Sequence, residues 1–134
     1  MNKENSLEIL PINFRHEKKY LLKTEFNSWS KLRQLKDIDI SLIINKEPLC
    51  TESRLKKIRV ISIFIDELEI TPSQAYLLLH CGISSIKALS ILDAHELDKR
   101  IRRLERGLRV KTKNTPSLLL LKEWINKAKK IIKG

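Results

Sequence analysis

The densest chemistry in this sequence is cationic and lies close to its C-terminal end. Lys99, Arg100, Arg102, Arg103, Arg106, Arg109, Lys111 and Lys113 follow one another with Glu105 as the single carboxylate among them. The chain of 134 residues has 27 Lys/Arg against 16 Asp/Glu, a formal net charge of +11. Residues 1–98 hold 14 of each sign, so the excess comes entirely from residues 99–134, where 13 cations meet only Glu105 and Glu123. A guanidinium presents a planar fork of donors that matches two oxygens of a phosphate or carboxylate, which a lysine ammonium cannot do. A composition rich in Lys, Ile and Asn reflects AT-rich coding, and such drift favours lysine. The arginines kept in this stretch therefore point to bidentate contacts with an anion. The competing reading is a solvated helix face followed by a flexible loop.

The segment Gly107-Leu108-Arg109-Val110-Lys111-Thr112-Lys113-Asn114-Thr115-Pro116 brings three cations and two hydroxyls to a helix expected to open at Thr115-Pro116. A helix N-terminus adds unpaired N–H groups and a partial positive charge, which suits an anion. The expected contacts are Arg100, Arg103, Arg106, Gly107, Arg109, Lys111, Lys113 and the backbone at Thr115, with Gly82 as a secondary site. Contacts of this kind register backbone charge rather than base sequence, so affinity would fall steeply with salt.

Other chemistries lack their residues. The sequence has no nucleophile and base in a familiar constellation, no phosphate-binding loop and no dinucleotide fingerprint, so a non-enzymatic protein without a cofactor is expected. His16, His80, His95, Cys50 and Cys81 show no metal-ligand spacing, and the adjacent His80 and Cys81 would point about 100° apart on a helix. The two cysteines sit among Leu and Ile and read as small reduced core residues. Aromatic residues are 5% of the chain. Phe26, Trp29, Phe64 and Trp124 fall on apolar stripes, which assigns them to packing rather than to base stacking.

Positioning the cations requires helices, and the sequence punctuates them. Thr71-Pro72-Ser73-Gln74 is a capping box with proline at the first helical position, predicting a helix from Pro72 to about His80 that stops near Gly82. Ser84 or Ser85 then caps a short helix carrying Ile86 and Leu89. Asp93-Ala94-His95-Glu96 opens another, on which Leu97, Ile101, Leu104 and Leu108 form one buried stripe and which Gly107 is expected to close. A last helix is predicted from Thr115-Pro116 to about Lys133, with Leu118, Leu121, Trp124, Ile125, Ala128 and Ile132 inward.

Shifting the sequence by 57 residues against itself aligns Leu21-Leu22 with Leu78-Leu79, Ser28 with Ser85, Leu32 with Leu89 and Ile40 with Leu97. Tandem duplication accounts for this. The first copy accordingly predicts helices near Phe14 to Lys23, Ser28 to Gln34, Asp39 to Asn45, and from about Glu52 to Leu68. In the last of these Leu55, Ile58, Ile61, Phe64, Ile65 and Leu68 make a stripe broad enough to join the cores of the two repeats.

Leu78-Leu79-His80-Cys81-Gly82-Ile83-Ser84-Ser85-Ile86-Lys87-Ala88-Leu89 resembles the helix-hairpin-helix superfamily, in particular its relatives in the C-terminal domain of the bacterial RNA polymerase alpha subunit and in recombinase N-terminal domains. The likeness covers most of Ile70 to Lys130 and extends more weakly over Ile12 to Leu68. The chain is also similar to a group of small uncharacterised cyanobacterial and plastid-lineage proteins with a tandem domain of this class. The resemblance implies an all-α fold of two tandem helix-hairpin-helix-like (SAM-like) repeats sharing one core, with residues 1–11 as a flexible N-terminus, 12–68 as the first repeat and 69–134 as the second, basic one. It also implies binding to the nucleic-acid backbone through a glycine turn, which Gly82 matches. The first copy has Glu25 at that place, so its hairpin reads as structural.

Nucleic acid, DNA or RNA, is thus the expected partner. A protein adaptor is the alternative, because the run Leu118-Leu119-Leu120-Leu121 must leave a leucine outward and Lys122, Lys127, Lys129, Lys130 and Lys133 could meet an acidic partner. A membrane-surface role fits less well, since the apolar residues of that helix are needed for the core. Met1 to Asn13 contains acidic residues and no apolar block of signal-peptide length, so a cytoplasmic location is expected.

Overall fold

The computed structural model describes residues 10–108 and 115–134. These residues are all-helical, as expected: after a 3-10 turn at Ile12–Phe14 come α1 (Arg15–Leu21), α2 (Trp29–Leu32), α3 (Asp37–Lys46), α4 (Glu52–Leu68), α5 (Pro72–His80), α6 (Ile86–Ser90), α7 (Ala94–Leu108) and α8 (Leu118–Lys133). No strand occurs among the described residues. The chain divides into two units, Met1–Tyr76 and Leu77–Gly134, and the division falls within α5.

Most helices start where a side chain satisfies the first free N–H groups. Ser28 accepts from the N–H of Lys31 at 3.4 Å, Thr51 from Arg54 at 3.2 Å, Ser85 from Ala88 at 3.0 Å and Ser117 from Leu120 at 3.2 Å. At α5 the capping box closes in both directions, the Gln74 N–H donating to Thr71 Oγ1 at 3.2 Å and the Thr71 N–H to Gln74 Oε1 at 3.0 Å. The helices α5, α6 and α7 begin 57 residues after α1, α2 and α3, and Ser28 and Ser85 cap in the same way.

In the first unit α2 and α3 pack on α4. Trp29, Leu32, Leu35, Ile40 and Ile43 are buried with Leu55, Ile58, Ile61, Phe64 and Leu68 of α4. Phe14, 1% exposed, meets the Tyr76 ring edge-on at 6.1 Å, which ties the start of the described chain to the first turns of α5. One charged group joins this interior. The Glu17 side chain is 0% exposed, and its carboxylate accepts the Thr51 N–H at 2.9 Å and Arg54 Nε at 3.0 Å, while an Arg54 Nη reaches the Leu49 carbonyl at 3.0 Å. Glu17 thereby holds α1 to the N-terminus of α4, where the helix dipole also favours a negative charge. Two further arginines cross between helices: Arg33 reaches Asp66 and Glu67 of α4, and Arg59 reaches Asp37 and the Leu35 carbonyl at 2.9 and 3.0 Å.

In the second unit α6 and α7 pack on α8. Leu78, Ile83, Ile86, Leu89, Leu97 and Ile101 are buried with Leu121, Trp124, Ile125 and Ala128. Several boundaries differ from the sequence reading. Helix α7 continues through Gly107 to Leu108 instead of closing at the glycine, since glycine can hold right-handed helical dihedrals as well as left-handed ones. Helix α8 opens at Leu118 under Ser117 rather than at Thr115, since the Ser117 hydroxyl is the one placed to accept from its third N–H. Helix α3 opens at Asp37, with Asp39 accepting the Lys36 N–H at 2.8 Å. Ile132, expected inward, is 51% exposed in the last turn of α8.

Stranding the Glu17 carboxylate is expected to cost more than neutralising it. Arg54→Met leaves a buried charge without its partner and is predicted to destabilise by about 3–5 kcal/mol. Glu17→Gln keeps an acceptor for the Thr51 N–H and is predicted to cost less than that. Urea unfolding of the two variants checks the order, and the reverse order would remove the role given to Glu17.

Candidate nucleic-acid interface

The cations of α7 lie on a helix whose inner face is fixed by Ala94, Leu97 and Ile101, all buried. At about 100° per residue, Lys99, Arg102, Arg103 and Arg106 fall at i, i+3, i+4 and i+7 and so line the opposite side. All four are exposed. Arg102 Nε donates to Asp98 at 3.0 Å, a same-helix contact that leaves the outer edge of the guanidinium open. Among the described residues no carboxylate comes within ion-pair distance of Arg103 or Arg106. The stripe rises about 10 Å along the helix from Lys99 to Arg106 at about 1.5 Å per residue.

The residues expected to bind an anion are distributed unevenly about this stripe. Arg103 and Arg106 belong to it. Arg100 lies at its flank and is half-buried, its Nη1 3.5 Å from the Cys81 carbonyl and its Nε 3.5 Å from Glu96. Gly107 lies in the last turn of α7. Arg109, Lys111 and Lys113 lie outside the described residues. Thr115 is exposed, but its hydroxyl donates to Glu105 Oε1 at 2.6 Å, so it faces a carboxylate. With α8 opening at Leu118, Thr115 does not supply the helix N-terminus expected there. Lys99 and Arg102 are not among the expected contacts, although the helical period of the buried residues places them beside Arg103 and Arg106.

Gly82 occupies the turn between α5 and α6. It has φ +88°, in the left-handed region, and an added Cβ would meet nothing within 4 Å. Its N–H donates to the Leu79 carbonyl at 3.0 Å and the Ile83 N–H donates to the Leu78 carbonyl at 3.1 Å, the paired bonds of a Schellman ending, with Ile83 and Leu78 both buried beneath it. The corresponding turn of the first unit is built without glycine: Thr24 Oγ1 donates to the Leu21 carbonyl at 2.9 Å and accepts the Phe26 N–H at 3.1 Å. Glu25 is not in the left-handed region.

A second basic face belongs to α8. Lys122, Lys129, Lys130 and Lys133 are exposed along α8, with Glu123 also exposed, and Leu119, one turn before Lys122 and Glu123, is 69% exposed. This is the outward leucine that the four-leucine run requires. Elsewhere the chemistry is sparse. Both cysteines are free, and burial pushes each thiol up to about 11, chiefly by desolvation, with Glu17 and Glu47 adding at Cys50 and Arg100 opposing at Cys81. No group of three or more His, Cys, Asp and Glu could hold a metal ion among the described residues. No helix described is long and apolar enough to cross a membrane.

Two outcomes are expected from these geometries. Gly82→Ala is predicted to destabilise by about 1–2 kcal/mol through backbone strain alone, as there is space for the methyl group; thermal unfolding checks it. Cys50 and Cys81 are predicted to resist iodoacetamide at pH 8 in the native protein and to react once it is unfolded, because their thiolates are scarce well below about 11. Rapid native alkylation counted by mass spectrometry would contradict this.

Comparison with curated proteins and with solved structures gives no match. A family model does match, over residues 11–131 and hence over almost all of the described helices. The chain belongs to that family, the domain of unknown function DUF4332.

Proposed function

We propose that this protein is a non-enzymatic, cytoplasmic nucleic-acid-binding protein whose second unit grips the phosphate backbone through the outer face of α7. The observation that carries the reading is the contrast between two sets of arginines. Arg33, Arg54 and Arg59 of the first unit are spent on contacts to other elements of their own unit. Arg102, Arg103 and Arg106 of α7 stand exposed in one stripe with Lys99, and only Arg102 has a carboxylate partner among the described residues, on its own helix. Holding four cations along one helix face costs mutual repulsion, which a polyanion would relieve.

The tandem helix-hairpin-helix reading supports the same function. The three pairs of helices in register, the matched Ser28 and Ser85 caps and the glycine turn at Gly82 agree with two copies of one hairpin unit. The second copy alone retains the glycine, and it is the second copy that carries the charge. Recognition would be of backbone charge, indifferent to sequence and shared by DNA and RNA.

A protein-adaptor reading is favoured by a different observation, the exposed Leu119 on α8, one turn before the exposed Lys122 and Glu123. The two separate by variant. Replacing Lys99, Arg103 and Arg106 by Ala removes three cations without breaking any described ion pair. The expected result is loss of retention on heparin and duplex DNA at physiological salt, with a log-log salt slope smaller by about three and unchanged helicity. Unaltered DNA affinity in that variant, or no affinity in the parent protein, would overturn the α7 reading; a protein partner lost on Leu119→Glu would support the adaptor.

A further inference from the structure

The exposed stripe of α7 extends one turn further toward the N-terminus than its lysine and arginines. His95 precedes Lys99 by four residues, Arg102 by seven, Arg103 by eight and Arg106 by eleven. At about 100° per residue all five fall within a sector of about 100°. His95 is exposed, while Ala94 and Leu97 are buried on the other side of the helix. Its backbone N–H donates to Asp93 Oδ1 at 2.8 Å, but its imidazole has no hydrogen bond or ion pair among the described residues. Helix α3, which begins 57 residues before α7, has Ile38, Leu42, Asn45, Lys46 and Leu49 at the same five places, with Ile38 67% and Leu42 55% exposed. A helix packed by its inner stripe therefore does not need a base at the place of His95.

We infer that His95 is a fifth phosphate contact of the α7 face, made by its protonated imidazole, so that the grip on a polyanion tightens as the pH falls. The inference rests on the phosphate-binding reading of α7 and adds a proton to it. A neutral imidazole offers one N–H donor, whereas the imidazolium offers two donors and a full charge. A lysine or arginine in this first turn would oppose the positive end of the helix dipole at every pH; a histidine does so only when protonated. The charged groups around His95 are few. Asp93 lies in the turn before it, and Asp98 and Lys99 follow one turn on, where Asp98 accepts from Arg102 at 3.0 Å. Helix α8 packs on α7 and makes no hydrogen bond or ion pair with His95. Because the protonated form is the one that binds, the contact is complete below the histidine range and is lost as pH rises through it.

Binding of the full chain to labelled duplex DNA, titrated with salt at about pH 5.5 and about pH 8, tests this. One more phosphate neutralised steepens the log-log salt slope by about 0.9 and strengthens binding about fivefold at about 0.15 M salt. The parent protein is expected to show both changes at the lower pH. His95→Gln keeps a polar side chain without the charge and is expected to lose the change of slope. His95→Arg is expected to show the steeper slope at both pH values. His80→Gln, at a histidine outside the stripe, is expected to keep the parent's pH difference. A parent slope that is the same at both pH values, or a change of slope that persists in His95→Gln, would overturn the inference. Either result leaves the α7 reading standing where replacing Lys99, Arg103 and Arg106 by Ala abolishes binding at pH 8. A parent protein without affinity for DNA at either pH removes both.

Discussion

A helix of four residues such as α2 has no stability of its own, and α1 and α6 are scarcely longer. These elements persist because each delivers one or two side chains to a closed interior: Leu21 from α1, Trp29 and Leu32 from α2, Ile86 and Leu89 from α6. The N-termini of α2 and α6 are then satisfied by the hydroxyls of Ser28 and Ser85, which remove the need for further turns. The long helices follow from the same constraint. α4 and α8 supply enough continuous apolar surface for two partners each, so α2 and α3 pack on the one and α6 and α7 on the other.

The remaining polar groups are handled differently along the chain. In the first unit, arginines act as internal tethers. Glu17 is the extreme case, a carboxylate fully removed from solvent that is tolerable only because Arg54 and the Thr51 N–H both point at it. Ion pairs of this kind contribute more to a defined arrangement than to net stability. Gln74, 57 residues after Glu17, serves the cap of its own helix, and Arg102, Arg103 and Arg106 of α7 stand exposed. The outer surfaces of two helices can differ while their inner stripes stay apolar, because only the inner stripe is constrained by packing density. The apolar outer face of α3 and the cationic outer face of α7 are the result.

Much of the fold was legible because the determining interactions are local. The bounds Pro72–His80 and Glu52–Leu68 follow from caps three residues apart and from a stripe within one helix. The short α6 under Ser85 and the glycine turn at Gly82 follow in the same way. The expectation at Thr115 gave way to an equally local competition between two neighbouring hydroxyls: Ser117, not Thr115, caps α8, and Thr115 turns to Glu105. Arg100 departs from its expected role for a different reason, since its half-burial beside the Cys81 carbonyl depends on how the turn after α5 meets α7.

Capping and periodicity operate within a few residues along the chain, so the linear order of side chains was enough to specify the helical class, the positions of most helix starts and the concentration of positive charge from Lys99 onward. Which cations are left available is a matter of packing. Arg54 and Glu17 are 37 residues apart, and Arg33 and Glu67 are 34 apart, so nothing in local spacing marks them as partners. Folding brings those pairs together and leaves Lys99, Arg103 and Arg106 on the side of α7 that faces away from its buried stripe.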